Sequence, residues 1–538
     1  MPAPPPADTA WGAFSDDAPW VLDDHEQVWQ TGLRHTRAEV AASVPELTRR
    51  RVLPPGRRLG TTVVRLGGAL GPWALGARRR GGSASKHDLA RRLRRAAEPL
   101  GPSYIKLGQI VSSGRGVFPD ELVDEFALLR DRVQPEPFAA IREVVAEELG
   151  RPLDEVFSSF ERRPLAAASI AQVHAAVLRT GEPVVVKVQR PTVADRVRSD
   201  LRVMAWIAPL LVGRIPVAAL ANPPALVELF AETITEELDF RLEAENMIEV
   251  GRSFAALGQR GYVVPRPHPE LVTRRVLVME RLDGFAFDDV VGMQGAGIDT
   301  EAVVRTGMIG FLEGAMINGI FHGDLHGGNL LVLPDGRTGL LDFGITGRLA
   351  QHERQAFLRL LVAASMNDVR TQLSALRDLG ALPAGSDVEA LIVQLGLDRP
   401  PLDPTTLSPE QLTAEIQGVV KALLGAGARL PKPLMLFVKN LVFLDGAIAT
   451  LAPDLDLFGE IAAIALYFSQ RHGQQIAADA GLGPNTWDLD LSAFQESVGI
   501  DPEAGGVITH RELQERRREV RDRIELRPGR RRRRGRRP

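Results

Sequence analysis

The stretch FHGDLHGGNLLVLPDGRTGLLDFG, from Phe321 to Gly344, decides the fold of this chain more than any other part of the sequence. It carries Asp324, then Asn329, and then Asp342 at the head of an Asp-Phe-Gly tripeptide. The intervening LLVLPDGRTGLL predicts two short apolar strands joined by a Pro-Asp-Gly turn. Such a hairpin would hold the loop that carries Asp324 and the tripeptide that begins with Asp342 as one rigid body.

This order of polar groups is the one that phosphoryl transfer requires. In protein kinases an aspartate positions the acceptor hydroxyl, an asparagine holds a metal ion, and a second aspartate ties Mg²⁺ to the phosphates. We assign these roles to Asp324, Asn329 and Asp342. The alternative is a polar loop before an ordinary hairpin, with this spacing arising by chance. His322 and His326 could suggest zinc, but we interpret His322 as a structural residue that supports the loop.

A second group of candidate residues lies upstream, in RRPLAAASIAQVHAAVLRTGEPVVVKVQRP (162–191). QVHAAVL and EPVVVKVQ predict two strands joined by Arg-Thr-Gly, with Lys187 in the second. A kinase has a glycine-rich loop and then a strand lysine at this point. The loop here consists of four small residues, Ala166, Ala167, Ala168 and Ser169. Their backbone amides can still cradle phosphate, but alanine lacks the freedom of glycine, so we expect a stiffer loop. The alternative for Lys187 is a strand residue that reaches solvent.

The acidic segment 226–250 predicts one long helix, because it has helical periodicity and contains neither glycine nor proline. A kinase lysine needs a carboxylate partner that orients it towards the phosphates. We choose Glu243 as the partner of Lys187, and Glu236, one heptad earlier, remains a competing choice. On a continuous helix Glu237 and Glu243 point in different directions and could serve two different lysines.

Two further motifs stand out, of which K-x-G-Q, like the AAAS loop of Ala166–Ser169, has no counterpart in ordinary kinases. Lys106, Gly108 and Gln109 form K-x-G-Q within a helical pattern. On a helix Lys106 and Gln109 share a face, and Gly108 leaves room for a closely packed neighbour. Glu237 and Asp239 form E-x-D in the acidic segment. We expect these residues to regulate the site.

The predicted adenine contacts and the C-terminal half follow from apolar patterns. The segment 272–289 predicts a strand and a linker, where the backbones of Glu280 and Leu282 would bond to an adenine. A run of helices extends from the catalytic stretch to about Gln470. Within it, the strongly apolar segment 431–453 is interrupted by polar residues, and we interpret it as a buried helix.

The composition excludes several classes of protein. The chain has 538 residues, of which 44% are hydrophobic, and it has no cysteine, so thiolate metal sites, disulfides and cysteine nucleophiles are absent. The first residues lack the pattern of a secretory signal. An uninterrupted apolar run of about 18 residues is missing, so we do not expect a membrane-spanning helix. We expect a cytoplasmic protein, or one attached peripherally to the inner face of the membrane.

Charge is distributed unevenly along the chain. The net charge is −3, yet residues 49–95 carry 14 Lys or Arg against one acid, and residues 511–538 carry 14 Arg against five acids. Basic arms of this kind indicate contact with an anionic surface. Residues 61–80 could form an interfacial helix or a flexible basic linker, and GGSAS (81–85) predicts a flexible joint. The arginine-rich tail has no aromatic residue for base stacking, so nucleic acid is a less favoured partner.

Taken together, these motifs resemble the atypical kinases variously called the ABC1, AarF, UbiB or coenzyme Q8 kinase family. The resemblance extends from about His87 to about Pro453. It implies a helix-rich, two-lobed, protein-kinase-like α+β fold, with an N-terminal helical extension packed over the active site and Lys106 paired with Glu237. It also implies ATP or ADP and Mg²⁺ as cofactors, and a role in isoprenoid-quinone or other prenyl-lipid metabolism, with ATPase activity more than protein phosphorylation.

The chain also departs from the family pattern. Gly323, Leu325 and Gly327 replace the Ala, Pro and Pro that are common in the family, which predicts a looser catalytic loop. Many bacterial members end in hydrophobic membrane helices, whereas this chain ends in arginines, so integral membrane attachment is not expected.

Two functional hypotheses remain open. The first is an ATP-dependent phosphotransferase or ATPase, and the second is a catalytically weak, nucleotide-gated protein that binds a lipid or a protein partner, which could be a second copy of the chain. The predicted organisation comprises five segments: a disordered basic segment 1–86, the K-x-G-Q extension 87–160, an N-lobe with a long helical insert 161–285, a helical C-lobe with the catalytic loop 286–480, and a C-terminal segment 481–538.

Overall fold

The computed structural model describes residues 14–15, 20, 22, 27–49, 56–76, 82–112, 119–129, 134–211, 223–365, 368–397, 426–428, 431–480, 509–515 and 518. The chain divides into two compact units. The first comprises Met1–Ala286, His322–Leu333 and Arg337–Thr346, and the second comprises Phe287–Phe321, Pro334–Gly336 and Gly347–Pro538. Of the predicted C-terminal segment 481–538, residues 481–508, 516–517 and 519–538, which include the arginine-rich tail, lie outside the described residues.

The described strands are, in chain order, Phe157–Phe160 (β1), Ala166–Ala167 (β2), Ala171–Leu178 (β3), Pro183–Gln189 (β4), Tyr262–Val263 (β5), Pro267–Val272 (β6), Val276–Glu280 (β7), Phe285–Ala286 (β8), Ile320–His322 (β9), Leu330–Val332 (β10), Thr338–Leu340 (β11) and Thr346–Arg348 (β12). They form a six-stranded sheet in the order β1-β3-β4-β7-β6, with β2 paired to β3, a four-stranded sheet in the order β5-β11-β10-β8, and the pair β12-β9.

The helices of the first unit are Leu33–Thr48 (α1), Gly56–Leu75 (α2), Gly82–Leu100 (α3), Pro102–Ser112 (α4), Asp120–Phe126 (α5), Phe138–Leu149 (α6), Leu153–Val156 (α7), Val193–Leu211 (α8), Pro223–Glu236 (α9) and Phe240–Leu257 (α10). Helix α6 packs on one face of the larger sheet, where Val184, Val186 and Val188 of β4 are fully buried. Because side chains alternate along a strand, Lys187 points to the other face. The two strands predicted around Lys187 are thus confirmed.

The predicted hairpin of the catalytic stretch is also present. Strands β10 and β11 pair antiparallel, with Leu330 opposite Leu340. Strand β10 pairs with β8, and β11 pairs with β5, so the hairpin joins a sheet of the first unit. The sequence placed the catalytic loop and the Asp-Phe-Gly tripeptide in the helical segment 286–480. These pairings instead assign them to the first unit.

The N-terminal region is more ordered than the sequence predicted. Of the segment 61–80, for which a flexible linker was an alternative, residues 61–75 belong to helix α2, residues 77–80 lie outside the described residues, and α3 begins at Gly82, inside the predicted joint. Trp73 is buried and its indole N–H donates to the Ser85 carbonyl at 3.1 Å. Arg58 forms an ion pair of 2.6 Å with the fully buried Asp200. This burial outweighs the poor helix propensity of the glycines in α2.

Part of the first 25 residues, predicted to be disordered, is also anchored. Phe14 is fully buried and forms a parallel bridge with Val264. The indole of Trp20 donates to the carbonyl of Pro267 at 3.0 Å. Large aromatic side chains of this kind contribute much apolar burial, which composition alone did not reveal.

The acidic segment 226–250 is two helices and not one, since α9 ends at Glu236 and α10 begins at Phe240. Asp239 caps α10, with its carboxylate accepting the Arg241 backbone N–H at 3.2 Å. Aspartate is a favoured N-cap residue, so the E-x-D motif itself marks the break. The prediction of one continuous helix was therefore wrong, but Glu237 and Glu243 do contact two different lysines, Lys106 and Lys187.

The second unit is helical. Its helices are Val290–Gly295 (α11), Thr300–Glu313 (α12), Gln351–Ser365 (α13), Val369–Asp378 (α14), Val388–Leu395 (α15), Lys432–Leu451 (α16) and Leu457–Ala480 (α17), with a π-helical turn at Gly314–Asn318. Phe357 and Phe437 pack edge to face, with ring centroids 4.4 Å apart. The fully buried carboxylate of Glu313 accepts hydrogen bonds from Tyr467 and His472.

Helix α16 is the predicted apolar helix, but only one of its faces is buried. Leu436, Phe437 and Leu444 lie inside, whereas Leu441 and Val442 are exposed. Within the described residues, α16 is the one helix long and apolar enough to cross a membrane by length and composition, a test that core helices of soluble proteins also pass.

Candidate functional site

Three of the predicted site residues meet at Lys187. Its ammonium group lies 2.6 Å from the Glu243 carboxylate and 3.1 Å from Asp342 Oδ1. Lys187 comes from β4, Glu243 from the first turn of α10, and Asp342 from the residues after β11. Of the two candidate partners, the structure therefore brings Glu243, and not Glu236, to the lysine.

The pKa values of these groups reflect burial in competition with charge. Burial lowers the pKa of Lys187, but Asp342 and Glu243 outweigh that effect and raise it above its usual value. Burial raises the pKa of Glu243 to about 7 despite the opposing effect of Lys187. For Asp342 the effect of burial is outweighed by Lys187 and Lys106, which lower its pKa to about 2. Asp342 is thus held as a carboxylate, the form that binds cations.

The backbone of Asp342 is unusual. Its φ is +59°, and Asp342 is the one residue other than glycine with positive φ among those described. The Gly344 backbone N–H donates to Asp342 Oδ1 at 3.2 Å. Such conformations are costly and concentrate at functional sites, although aspartate tolerates them better than most residues. The conformation turns a side chain that is 43% exposed towards Lys187.

Asn329 lies at the same end of the hairpin as Asp342. It directly precedes β10, and the Leu341 backbone N–H donates to its carbonyl at 2.8 Å. The Asn329 side-chain NH₂ donates to the carbonyl of Asp324 at 3.0 Å. The Asn329 side-chain oxygen therefore remains as a ligand for a metal ion. The side-chain NH₂ links Asn329, a predicted metal ligand, to the predicted catalytic loop at Asp324.

A neutral His322 supports the catalytic loop through two hydrogen bonds to the backbone. Its Nε2 donates to the Leu341 carbonyl at 3.0 Å, and its Nδ1 accepts the Asp324 backbone N–H at 3.2 Å. Burial lowers the pKa of His322, which favours this uncharged form. His322 therefore occupies the structural position that the sequence predicted. Among the described residues, no three or more His, Cys, Asp or Glu side chains are grouped so that they could hold a metal ion by themselves.

The catalytic loop is packed more tightly than its glycines suggested. A Cβ at Gly323 would lie 2.8 Å from Ile345 Cγ2 and 3.1 Å from the Ile345 carbonyl oxygen. The Gly323 backbone N–H donates to that same carbonyl at 2.9 Å. Leu325, which replaces a proline of the family pattern, is buried. Close packing therefore surrounds these two positions, and the predicted looseness of the loop stays a prediction.

The alanine-rich loop is held by hydrogen bonds from Arg190, a residue that the sequence did not lead us to select. Ala166 and Ala167 form β2, and the Ala168 carbonyl accepts the Arg190 Nε hydrogen at 3.0 Å. The other guanidinium nitrogens of Arg190 bind the Glu136 carboxylate at 2.8 Å and the carbonyl of Gln134 at 2.9 Å. Ser169, at the end of the loop, is buried. These contacts agree with the expectation of a stiff loop.

In the predicted adenine-binding strand, one backbone N–H already has a hydrogen-bond partner within the sheet. The Glu280 backbone N–H donates to the Arg266 carbonyl at 2.9 Å. This N–H therefore cannot donate to an adenine without leaving the sheet. Leu282 lies just beyond β7 and its side chain approaches Gly339 of β11.

The K-x-G-Q helix reaches the site through Lys106. The Lys106 ammonium lies 3.1 Å from the Glu237 carboxylate, and both side chains are only 12% exposed. Gln109 follows on the same helix, α4. A Cβ at Gly108 would strike the side chain of Leu129, so a closely packed neighbour lies where the sequence predicted one. The side chain of Asp239 is committed to capping α10 and to Arg241.

Glu237 in turn lies beside the Asp-Phe-Gly tripeptide. A Cβ at Gly344 would lie 3.3 Å from Glu237 Cγ. Burial raises the pKa of Glu237, while Lys106 opposes that effect. The extension therefore contacts the site residues themselves, with three carboxylates facing two ammonium groups.

The donor set suits magnesium. Mg²⁺ prefers hard oxygen ligands and is usually held by one or two carboxylates together with the phosphates of a nucleotide. The ionised, partly exposed carboxylate of Asp342 and the amide oxygen of Asn329 supply such ligands. Lys187 beside them is suited to phosphate oxygens.

Asn246 is a further residue that the sequence analysis missed. It lies three residues after Glu243 on α10, and its side-chain NH₂ donates to the Phe343 carbonyl at 2.7 Å. Residues at i and i+3 share a helix face, so its position relative to Glu243 was the available signal.

Comparison with known proteins supports the resemblance. The model of the ABC1 atypical kinase-like domain matches residues 128–375, which contain Lys187, Glu243 and Asp342 but not Lys106. An uncharacterised protein of Mycobacterium tuberculosis, Rv0647c, is 34% identical over 438 residues, which cover 79% of this chain and 87% of that protein.

Two further relatives have kinase names. A probable protein kinase UbiB of Aliivibrio fischeri is 32% identical over 375 residues, which cover 69% of each chain. An uncharacterised, chloroplastic aarF domain-containing protein kinase of Arabidopsis thaliana is 32% identical over 390 residues, covering 68% of this chain and 72% of that protein. The helices and small sheets of the structure confirm the predicted helix-rich α+β fold, and the match to the ABC1 atypical kinase-like domain confirms that it is kinase-like.

Proposed function

Since the chain belongs to the ABC1 family of atypical kinase-like proteins, we propose that it binds a magnesium nucleotide and acts as an ATP-dependent phosphotransferase or ATPase. The observation that carries the proposal is the placement of Lys187 between Glu243 and Asp342, at 2.6 and 3.1 Å. Kinases use such a lysine to hold nucleotide phosphates beside a metal-binding aspartate.

The proposed roles of the remaining residues follow from their positions. Lys187, oriented by Glu243, would bind phosphate oxygens, and the small side chains of Ala166–Ser169 would let the phosphates approach, although the Ala168 N–H already donates to the Ala171 carbonyl at 2.8 Å. Asp342 and Asn329 would hold Mg²⁺, which when bound neutralises the phosphate charge. Asp324, whose backbone is fixed by His322, would orient the hydroxyl or water that attacks.

The substrate class comes from the family resemblance and not from the site. We propose that the activity supports isoprenoid-quinone or other prenyl-lipid metabolism, at the surface of a membrane. Two observations bear on the membrane. Helix α16 exposes Leu441 and Val442, and the basic segment 49–95 exposes Arg65, Lys86 and Arg95.

A second candidate function is a nucleotide-gated binding protein with little chemistry. The specific observation in its favour is the Lys106–Glu237 ion pair at 3.1 Å, through which the extension contacts the residues beside Asp342. The fastening of Ala168 by Arg190 points the same way, because a stiff loop suits a fixed nucleotide better than rapid turnover.

Turnover of ATP, with and without prenyl-lipid vesicles, separates the two functions. We expect the wild-type protein to release phosphate from Mg-ATP, faster with the lipid, and Asp324→Asn to bind Mg-ATP but to turn it over at least about 100-fold more slowly. Binding without turnover in both proteins would favour the nucleotide-gated alternative. Absence of binding would overturn both.

A further inference from the structure

The tripeptide that begins with Asp342 is also connected to a helix outside the family domain. Arg37 lies on α1, far upstream of the matched range 128–375. Its Nη2 donates to the side-chain oxygen of Asn246 at 2.8 Å, and its Nε donates to the Glu245 carboxylate at 2.8 Å. The two contacts hold the planar guanidinium in one orientation, because its donors form a rigid fork.

Asn246 links Arg37 to the site. Its amide oxygen accepts from Arg37, and its NH₂ donates to the Phe343 carbonyl at 2.7 Å. Arg37 cannot accept a hydrogen bond, so it admits one orientation of the amide. In the flipped orientation the NH₂ would face the guanidinium and the oxygen would face the Phe343 carbonyl, which places like partial charges together at both ends.

Three contacts to side-chain or backbone oxygens hold the tripeptide. Lys187 binds Asp342 Oδ1 at 3.1 Å, the Gly344 N–H binds the same oxygen at 3.2 Å, and Asn246 binds the intervening carbonyl. The carbonyl of residue 343 belongs to the peptide that follows directly after Asp342 and its positive φ. Backbone in such a region persists only where its surroundings hold it.

We infer that Arg37 is a positioning residue for the metal site. By fixing the amide of Asn246 it holds the Phe343 carbonyl, and it thereby keeps Asp342 in the conformation that presents its carboxylate to Mg²⁺. The inference rests on the proposed function. It assigns to α1 a part in metal binding, although none of its residues touches the metal ligands.

The test compares ATP binding by calorimetry in Mg²⁺ and in excess EDTA. Arg37→Ala should raise the Kd for ATP about tenfold in Mg²⁺, the size of effect that loss of one charged hydrogen bond gives, and leave the Kd in EDTA unchanged. Arg34→Ala is the matched control, because Arg34 is an exposed arginine on the same helix. It should behave as the wild type. Arg37→Lys, which keeps one donor, should recover part of the Mg²⁺-dependent affinity.

Several outcomes would overturn the inference. An equal loss of affinity with and without Mg²⁺ would mean that Arg37 only stabilises the fold, and an unchanged Kd would mean that α1 has no part in the site. If the wild-type protein binds no nucleotide, the proposed function fails, and a second readout still tests the inference. Hydrogen exchange of the amides of residues 342–344 should then be faster in Arg37→Ala than in Arg34→Ala. Equal exchange would refute it.

Discussion

At the scale of single residues, the site is a set of charges whose sum favours a cation. Lys187 and Lys106 face the buried or nearly buried carboxylates of Glu243 and Glu237 and the partly exposed carboxylate of Asp342. Carboxylates in excess of ammonium groups are costly without a further positive charge. A divalent cation beside Asp342 would supply that charge, and Lys187 would meet the negative phosphates of a bound nucleotide.

The Lys187–Glu243 pair provides the first prediction. Lys187→Ala should weaken Mg-nucleotide binding, because the phosphates lose their cation, and Glu243→Gln should weaken it because the lysine loses its orientation. Removing one member of a buried ion pair typically destabilises the folded protein by about 3–5 kcal/mol. Calorimetry on both single variants and the double variant measures their coupling. The control is Asp195→Asn, whose side chain is 93% exposed. Effects that simply add in the double variant would contradict the pairing.

The sequence predicted residues that form ion pairs in the site, and it did not reveal residues whose side chains bind backbone carbonyls. Glu243 could be chosen, with Glu236 as the competing choice, because a kinase lysine needs a carboxylate partner and the acidic helical segment offers one. Arg190 and Asn246 bind backbone carbonyls, at Ala168 and Phe343. The sequence alone gives no sign of which carbonyls a fold will bring within reach of a polar side chain.

At the scale of elements, the catalytic loop shows how a departure from the family pattern is accommodated. Ile345 occupies the space where a Cβ of residue 323 would lie. The family's usual alanine would therefore not tighten this loop.

Gly323→Ala should accordingly destabilise the protein by about 1–3 kcal/mol, the usual result of overpacking. The neighbouring atoms belong to a β-branched side chain and to backbone, which cannot move away easily. Gly68→Ala is the control, because a Cβ there meets no atom within 4 Å, and replacing glycine in a helix should stabilise by about 0.5–1 kcal/mol. Thermal or urea unfolding measures both. A stabilised Gly323→Ala would show that Ile345 moves aside.

The contact between α4 and the site gives a third prediction. Lys106→Ala leaves Glu237 as an unpaired buried carboxylate beside the tripeptide. It would repel phosphates or turn towards Mg²⁺, so the preference between ATP and ADP should change. Melting curves with Mg-ATP and Mg-ADP for both proteins measure this. If Mg-ATP and Mg-ADP change the melting temperatures of the two proteins by equal amounts, K-x-G-Q is not part of the site.

Elements were predicted well where periodicity was strong, and poorly where burial overrode propensity. Strands β3, β4, β10 and β11 followed from alternation and turn residues. Helix α2 did not, because its glycines and Pro72 argued against a helix that is held by the burial of Leu59 and Trp73. The break between α9 and α10 could have been found from Asp239 as an N-cap signal.

At the scale of the whole molecule, the basic segment 49–95 is partly neutralised within the fold. Arg58 pairs with Asp200, and Arg94 pairs with Glu98 and Glu125. Fewer charges than the sequence count are therefore available to an external surface, with Arg65, Lys86 and Arg95 among those exposed.

Even so, the exposed bases should bring the protein to anionic membranes, since each contributes on the order of 1 kcal/mol near such a surface. Flotation with anionic vesicles should show binding at low salt that is lost at high salt, because salt screens exposed charges. Equal binding to neutral vesicles would contradict an electrostatic origin and would favour the apolar face of α16.

The most direct test of the magnesium-nucleotide site is calorimetric titration of the wild-type protein and Asp342→Asn with Mg-ATP. Asp342 is the carboxylate held at low pKa beside Lys187, and an amide in its place is a far weaker ligand for Mg²⁺. We predict saturable binding of Mg-ATP to the wild-type protein and to Asp195→Asn, and no measurable binding to Asp342→Asn. An unchanged affinity in Asp342→Asn would contradict the assignment of the site.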